Sequence, residues 1–415
     1  MSTSVTLESN QKGNEKRYKK NTKWYILGLI VITNITLVAI PNMGMSVLAK
    51  EIAQDLGLSL VQVGIVWGVG SVPGIVTGLF AGAIGDKVGP KRILIVGSLL
   101  TGLVGAARGL APNFVTMVVT AILLGALIPF IIMNGVKTIG LWFPSRQLGQ
   151  ANGLSCMGMA FGFLIGSMMS ATLLSPLLGG WRQVMIFYGV IGAFLCVPWI
   201  FVPSSPRRQS AADEGNISIH KAITHVAGVK NIWLLGMTLF GVSGCIQGLL
   251  GYLPIYLRSI GWDALYADGA LSAFHTASMI FVLPIAWRSD RLGSRKRILL
   301  IAGSMIIAGT GLLSVARGLT IWGAVIITGM VRDAFMAISL TMVIETEGIG
   351  PVYAGTASGL VVAISGVGSF LAPPLGNSFA EYNPAAPFTF WALLAFFGVI
   401  CLSQVSKPNM LKPAS

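Results

Sequence analysis

The sequence predicts an all-α membrane protein: twelve transmembrane helices in two pseudo-symmetric six-helix bundles. Three observations predict it. Hydrophobic residues make up 54% of the 415-residue chain and charged residues only 10%, too few charges to cover a water-soluble domain of this size. The apolar residues fall in runs long enough, or nearly so, to cross a bilayer, which takes about 20 residues of helix. The third is a charged hairpin that occurs twice. Gly82–Arg92 carries Gly85, Asp86, Lys87, Gly89, Lys91 and Arg92 between two apolar runs, and Ala286–Arg297 repeats acid, base, apolar residue, glycine and a basic cluster as Asp290, Arg291, Leu292, Gly293, Arg295, Lys296 and Arg297. Each copy leads into the same Lys-Arg-Ile-Leu, at 91–94 and 296–299, as expected of a duplicated six-span unit.

Residues 1–23 form a basic tail with Lys12, Lys16, Arg17, Lys19, Lys20 and Lys23. The run from Trp24 onward is too long for the core of a cleaved signal, so it reads as the first span. Residues 24–203 hold the first bundle. Its fourth span stops at Trp142-Phe143-Pro144, because proline cannot continue the backbone ladder. Its fifth carries Gly158, Gly162 and Gly166, a face stripped of side chains that lets a neighbouring helix approach. Residues 204–230 break the apolar pattern with Arg207, Arg208, Asp213, Glu214, His220 and Lys221 and read as a linker. The second bundle follows at 231–405, and a basic tail at 406–415 carries Lys407 and Lys412.

Most of the 28 Lys and Arg gather in the tails, the linker and the repeated loops, whereas Lys50, Arg108, Arg182, Arg258 and Arg317 fall at the other ends of the spans. Positive charge marks the cytoplasmic side, which puts both termini inside the cytoplasmic membrane. The net charge of +14 is therefore directed at the lipid bilayer and not at nucleic acid. Cys156, Cys196, Cys245 and Cys401 lie inside apolar spans without CxxC spacing, so they read as packing residues. No phosphate-cradling GxxxxGK, no HExxH and no nucleophile elbow is present. The chain is not expected to be an enzyme or to need a cofactor or metal.

With its repeated loop between spans 2 and 3 and between spans 8 and 9, the chain resembles the major facilitator superfamily along nearly its whole length. The Gly-Gly-Trp-Arg turn at 179–182 and the matched entries of spans 5 and 11 (Gly149–Leu154, Gly355–Leu360) fit the same plan. The resemblance implies alternating access around one central site. It also implies that the loops clamp the halves at the cytoplasmic side, through Asp86, Gly89, Lys91 and Arg92 and through Asp290, Gly293 and Arg295. Gly82 is replaced by Ala286 in the second copy, which puts close packing there in doubt.

Ionisable groups inside a bilayer are rare and functional by default. Arg332 and Asp333 lie halfway along span 10. Thr328, Arg332, Phe335 and Ser339 fall on one helical stripe, expected to face the cavity, with the Arg332 fork suited to an anion. Adjacent helical residues point about 100° apart, so Asp333 is expected to serve a different partner or to carry a proton. His275 is a second proton-relay candidate, against a plain hydrogen-bonding role. Lys137 either touches substrate or snorkels to the headgroups. Asn34, Asn42, Asn134 and Gln247 bind substrate or join helices.

The known patterns of drug exporters are missing: Ala121 stands where they carry an arginine before Gly125, and Gly166-Ser167 where they carry Gly-Pro. The stretch Gly251–Leu257 is most similar to the cyanate-type and oxalate/formate-type permeases. The function expected is secondary active transport of a small, carboxylate-like anion by proton symport or anion exchange, with a single chain sufficient as a monomer. A drug or amphipath exporter of the same superfamily is the alternative, and a non-transporting membrane sensor a remote third.

Overall fold

A computed structural model describes residues 22–203, 219–292 and 294–406. Eleven helices among these are long and apolar enough to cross a membrane. The first half contains α1 (Thr22–Val47), α2 in two pieces (Leu60–Gly68 and Ser71–Val88), α3 (Pro90–Gly109), α4 (Phe114–Trp142), α5 (Gln147–Leu178) and α6 (Trp181–Phe201). The second contains α7 (Lys230–Ser259), α8 (Ala264–Leu292), α9 (Arg295–Leu312), α10 (Leu319–Ile344), α11 (Gly350–Ser378) and α12 (Ala386–Gln404). The twelfth crossing is α9, whose 18 residues open on Arg295, Lys296 and Arg297 and so dilute its apolar stretch. The result is the twelve-helix fold of two six-helix bundles.

Local chemistry sets the helix ends. Ser59 with Gln62 and Asn113 with Thr116 form reciprocal caps at the starts of α2 and α4. At the charged loop, Gly89 adopts φ 94° and Pro90 opens α3, a left-handed residue followed by one whose φ is already helical. That pair reverses the chain with almost no loop.

Helix packing repeats with the loops. In the first half α3 packs on α6, α2 on α4 and α3 on α4; in the second, α9 packs on α12, α8 on α10 and α9 on α10. Lipid gives no hydrophobic drive for helices to associate, so close backbone approach must hold them. Gly102 and Gly189 bring α3 and α6 backbone to backbone, and Gly241 and Gly398 do the same for α7 and α12. The halves meet along α2–α11 and α5–α8.

Contact between the halves is unequal at the two faces of the bundle. At the face away from the repeated loops (the far face), Gly64 and Gly68 of α2 press on the backbone of Pro373, Pro374 and Phe370 in α11. At the loop face, a Cβ added to Gly149 or Gly153 of α5, or to Gly355 of α11, would meet nothing within 4 Å. Among the described residues, the halves meet backbone to backbone at the far face, and these three glycines border open space at the loop face.

Candidate functional site

At mid-depth, α10 brings its two charges together. Arg332 Nη1 donates to Asp333 Oδ1 at 2.5 Å, and Ser278 Oγ of α8 donates to Asp333 Oδ2 at 2.6 Å. The two side chains meet, contrary to the expectation that adjacent helical residues cannot, and Asp333 also takes a partner on a neighbouring helix. Their Cβ atoms do diverge, but the long arginine stem bends back across the helix surface. Both side chains remain partly accessible, Arg332 at 24% and Asp333 at 32%. His275, one turn from Ser278, is buried against Met43 Sδ of α1 at 3.0 Å and stacked on Phe163 of α5. Helices from both halves thus converge beside the charged pair.

The expected stripe of α10 is out of phase. Thr328 and Phe335 face α9, where Gly309 and Gly303 receive them, and Thr328 Oγ1 donates to its own helix at Ala324. Ser339 is buried with its hydroxyl unpaired. The face that meets α7 and α8 lies one residue further on. Gly329 abuts the backbone of Phe274, Asp333 takes Ser278, and Met336 Sδ accepts from Ser243 of α7 at 3.6 Å. Asp333 sits on that face and Arg332 reaches it.

The other candidates separate. Asn134 is fully buried, and its amide donates to Ala81 of α2 at 3.2 Å and to Phe130 at 2.9 Å. Gly85 leaves room for its carbonyl oxygen. It is a tie between α4 and α2 and not a cavity group. Asn34 opens a π-helical segment of α1 (Asn34–Ala39) and donates to Ser155 Oγ of α5 at 3.0 Å, its own oxygen remaining unpaired. Single π turns inside helices gather at functional sites. Lys137 is half-buried, one turn of α4 from Asn134. Gln247 of α7 lines a cavity inside the first half, away from Arg332, together with Asn42 of α1.

Of the loop residues, Lys91 is half-buried and Arg92 exposed. The side chains of Asp86 and Asp290, and all of Gly293, lie outside the described residues. Arg295 forks onto Glu345 at the end of α10, Nε to Oε2 at 2.6 Å and Nη2 to Oε1 at 2.7 Å. That ion pair joins α9 to α10 within one half, so it does not clamp the halves together.

The far face holds a polar network that sequence reasoning missed. Asp268 of α8 is completely buried and takes Arg258 Nη2 of α7 at 2.5 Å. It also takes Thr172 Oγ1 of α5 at 2.7 Å, across the boundary between the halves. Arg258 Nη1 crosses in turn to the Val47 carbonyl of α1 at 2.5 Å. Nearby, Ser46 donates to the Leu250 carbonyl, Trp67 Nε1 to the Gln247 carbonyl at 2.8 Å, Asn377 to the Leu60 carbonyl at 2.8 Å, and Ser167 pairs with Ser272 at 2.8 Å. Helix α8 begins at Ala264, which places the carboxylate a full turn inside the helix.

Two repeated six-helix halves that meet backbone to backbone at the far face, with a charged pair at mid-depth of α10, have the architecture of a membrane carrier. The chain belongs to the Major Facilitator Superfamily, whose sequence profile matches residues 29–373. It is 24% identical over 408 residues to a probable sulfoacetate transporter of Cupriavidus necator, covering 92% of this chain and 93% of that one. It is 26% identical over 317 residues to a gallate transporter of Pseudomonas putida (67% and 69%), and 23% identical over 390 residues to a probable nitrate/nitrite antiporter of Thermus thermophilus (87% and 85%). Among solved structures it is similar to the nucleoside transporter NupG, with TM-score 0.74 at 15% identity over 91% of this chain and 98% of that one. A bacterial homologue of the human lysosomal transporter Spinster gives TM-score 0.73 at 15% identity, over 91% and 95%.

Proposed function

We propose that this protein is a secondary active transporter of a small organic or inorganic anion, coupled to a proton or a counter-anion. The observation that carries the reading is the Arg332–Asp333 pair, partly accessible at mid-depth and tethered to Ser278. A guanidinium matched to its own carboxylate is a poor anion site. Once Asp333 is protonated, or an incoming anion displaces it, the planar fork is free to take a carboxylate, sulfonate or nitrate through paired charge-assisted hydrogen bonds. Proton and anion then bind together, which is the coupling a symporter requires. Relatives named for sulfoacetate, gallate and nitrate/nitrite support an anionic cargo.

The positive-inside bias supports placing the repeated loops, residues 204–230 and both tails (1–23 and 406–415) on the cytoplasmic side, with bundles at 24–203 and 231–405. In that orientation the Arg258–Asp268–Thr172 network lies at the outer face and serves as the outer gate. His275, packed between the halves beside the charged pair, is the candidate to sense proton arrival. One chain encloses a complete route and works as a monomer.

Reconstituted protein tests this with sulfoacetate, gallate and nitrate, and with a cationic dye as the competing cargo, with and without a pH gradient. Anion uptake driven by the gradient and lost in Arg332→Ala is expected. Asp333→Asn should keep anion exchange while losing gradient-driven accumulation. Full anion uptake by Arg332→Ala, or movement of the dye alone, defeats the proposal.

A further inference from the structure

A second guanidinium lies inside the first half and has no use in the scheme above. Arg108 closes α3 near the far face, yet it is only 8% exposed. It makes no hydrogen bond and no ion pair among the described residues, and its Nε is fully enclosed without a partner. It faces a cavity of about 310 Å³ between α1, α2, α3, α4 and α6, whose wall also includes Gln247 of α7. That volume is at the small end of the range for ligand pockets, about 300–1,000 Å³.

Other polar groups converge on the same space. Thr101 stands two turns before Arg108 on the same face of α3, with its hydroxyl buried and unpaired. Asn42 and Gln247 also line the cavity, and Tyr188 adds an aromatic wall whose hydroxyl is held by Ser170 at 2.7 Å. Among the described residues no acid lines it. A buried positive charge with unpaired donors around it and no counter-ion is the electrostatic inverse of a small anion.

We infer that this cavity is a second anion site, taking a small carboxylate or sulfonate whose charge meets Arg108 and whose apolar body lies against Tyr188 and Trp67. The site is distinct from the Arg332 pair, and its existence does not depend on what that pair carries. Its wall is completed across the boundary between the halves, because Trp67 Nε1 holds the Gln247 carbonyl at 2.8 Å. The cavity is therefore whole only while the far face is shut, and an anion bound there favours that state over one with the far face open.

The experiment uses the full chain, crystallised with 4-bromobenzoate, so that the bromine's anomalous signal locates each bound molecule. Equilibrium dialysis of the same probe gives its affinity. The expected result is a bromine peak in the Arg108 cavity of the wild type and of Arg332→Ala, absent in Arg108→Gln. Dialysis on the Arg332→Ala background should show at least a tenfold loss of affinity on adding Arg108→Gln, and partial recovery with Arg108→Lys, which keeps the charge. An empty cavity in both the wild type and Arg332→Ala overturns the inference, as does affinity within twofold of the parent in the folded Arg108→Gln variant. Bromine beside Arg332 alone refutes this site and leaves the proposed function standing. Bromine beside Arg108 alone does the reverse.

Discussion

Replacing Asp268 with asparagine should open the far face. The carboxylate is completely buried and holds two partners, Arg258 at 2.5 Å and Thr172 at 2.7 Å. The first lies in its own half and the second across the boundary. Arg258, with 10% of its side chain accessible, spends its other arm on the Val47 carbonyl in the opposite half. The amide that replaces the carboxylate still accepts a hydrogen bond from Thr172, but it no longer neutralises Arg258. Leaving one partner of a buried ion pair uncompensated costs about 3–5 kcal/mol. That penalty applies while the face is shut and is relieved when opening lets water reach the guanidinium. The closed arrangement should therefore lose about 3 kcal/mol relative to the open one, and with 1.4 kcal/mol per factor of ten this shifts the equilibrium about a hundredfold.

The assay is a spin-label distance measurement between cysteines placed at Leu177 on α5 and Leu265 on α8. Both are exposed (70% and 49%) and lie at the far ends of helices from opposite halves. The four native cysteines would first be replaced by alanine. Asp268→Asn should populate a longer distance that is scarce in the parent, whereas Asp55→Asn, which removes an exposed ion pair to Arg182, should not. An unchanged distribution in Asp268→Asn would show that the network does not hold the face shut.

Three further outcomes are expected. Gly64→Val places a branched side chain against the backbone of Pro373 and Pro374, and overpacking of this kind costs about 1–3 kcal/mol; the same labels should report opening, and uptake should fall. Asn134→Ala should lower thermal stability by the about 1–2 kcal/mol of a helix-joining hydrogen bond, while the KM for anion uptake stays unchanged; a raised KM would return this residue to the cavity. Arg332→Lys keeps the charge but loses the planar fork, so anion uptake should fall at least about tenfold in kcat/KM, read from initial rates in proteoliposomes.

The spans, the duplication and the family were legible because each depends on local pattern: hydropathy over about 20 residues, and a charged hairpin seen twice. The phase of α10 was not. A stripe of apolar and polar residues shows which side chains share a face, but an all-apolar helix presents several such faces, and packing partners choose among them. Glycine carried the missing signal. Gly329 marks the side where α10 touches the α8 backbone, and Gly303 and Gly309 of α9 mark where Phe335 and Thr328 are received. Read as contact marks, these would have rotated the helix by one residue and moved Asp333 onto the side that meets α7 and α8.

Charges near helix ends pose the same ambiguity in a sharper form. Arg108, Arg258 and Asp268 all stand within about a turn of a span boundary in sequence, where a charge ordinarily reaches water. The structure buries Arg108 and Asp268 and leaves Arg258 only 10% accessible, and they differ in what they meet. Arg258 and Asp268 meet each other within the second half, and each also reaches a group of the first half, Val47 and Thr172, so their burial cost is offset. Arg108 meets no partner among the described residues. Burying a charge without a partner is costly, and among the described residues no acid lines its cavity; the anion inferred above would supply that compensation. The same reasoning separates the far-face gate from the Arg108 cavity: the Arg258–Asp268 pair holds a conformation, and Arg108 is placed to meet a ligand.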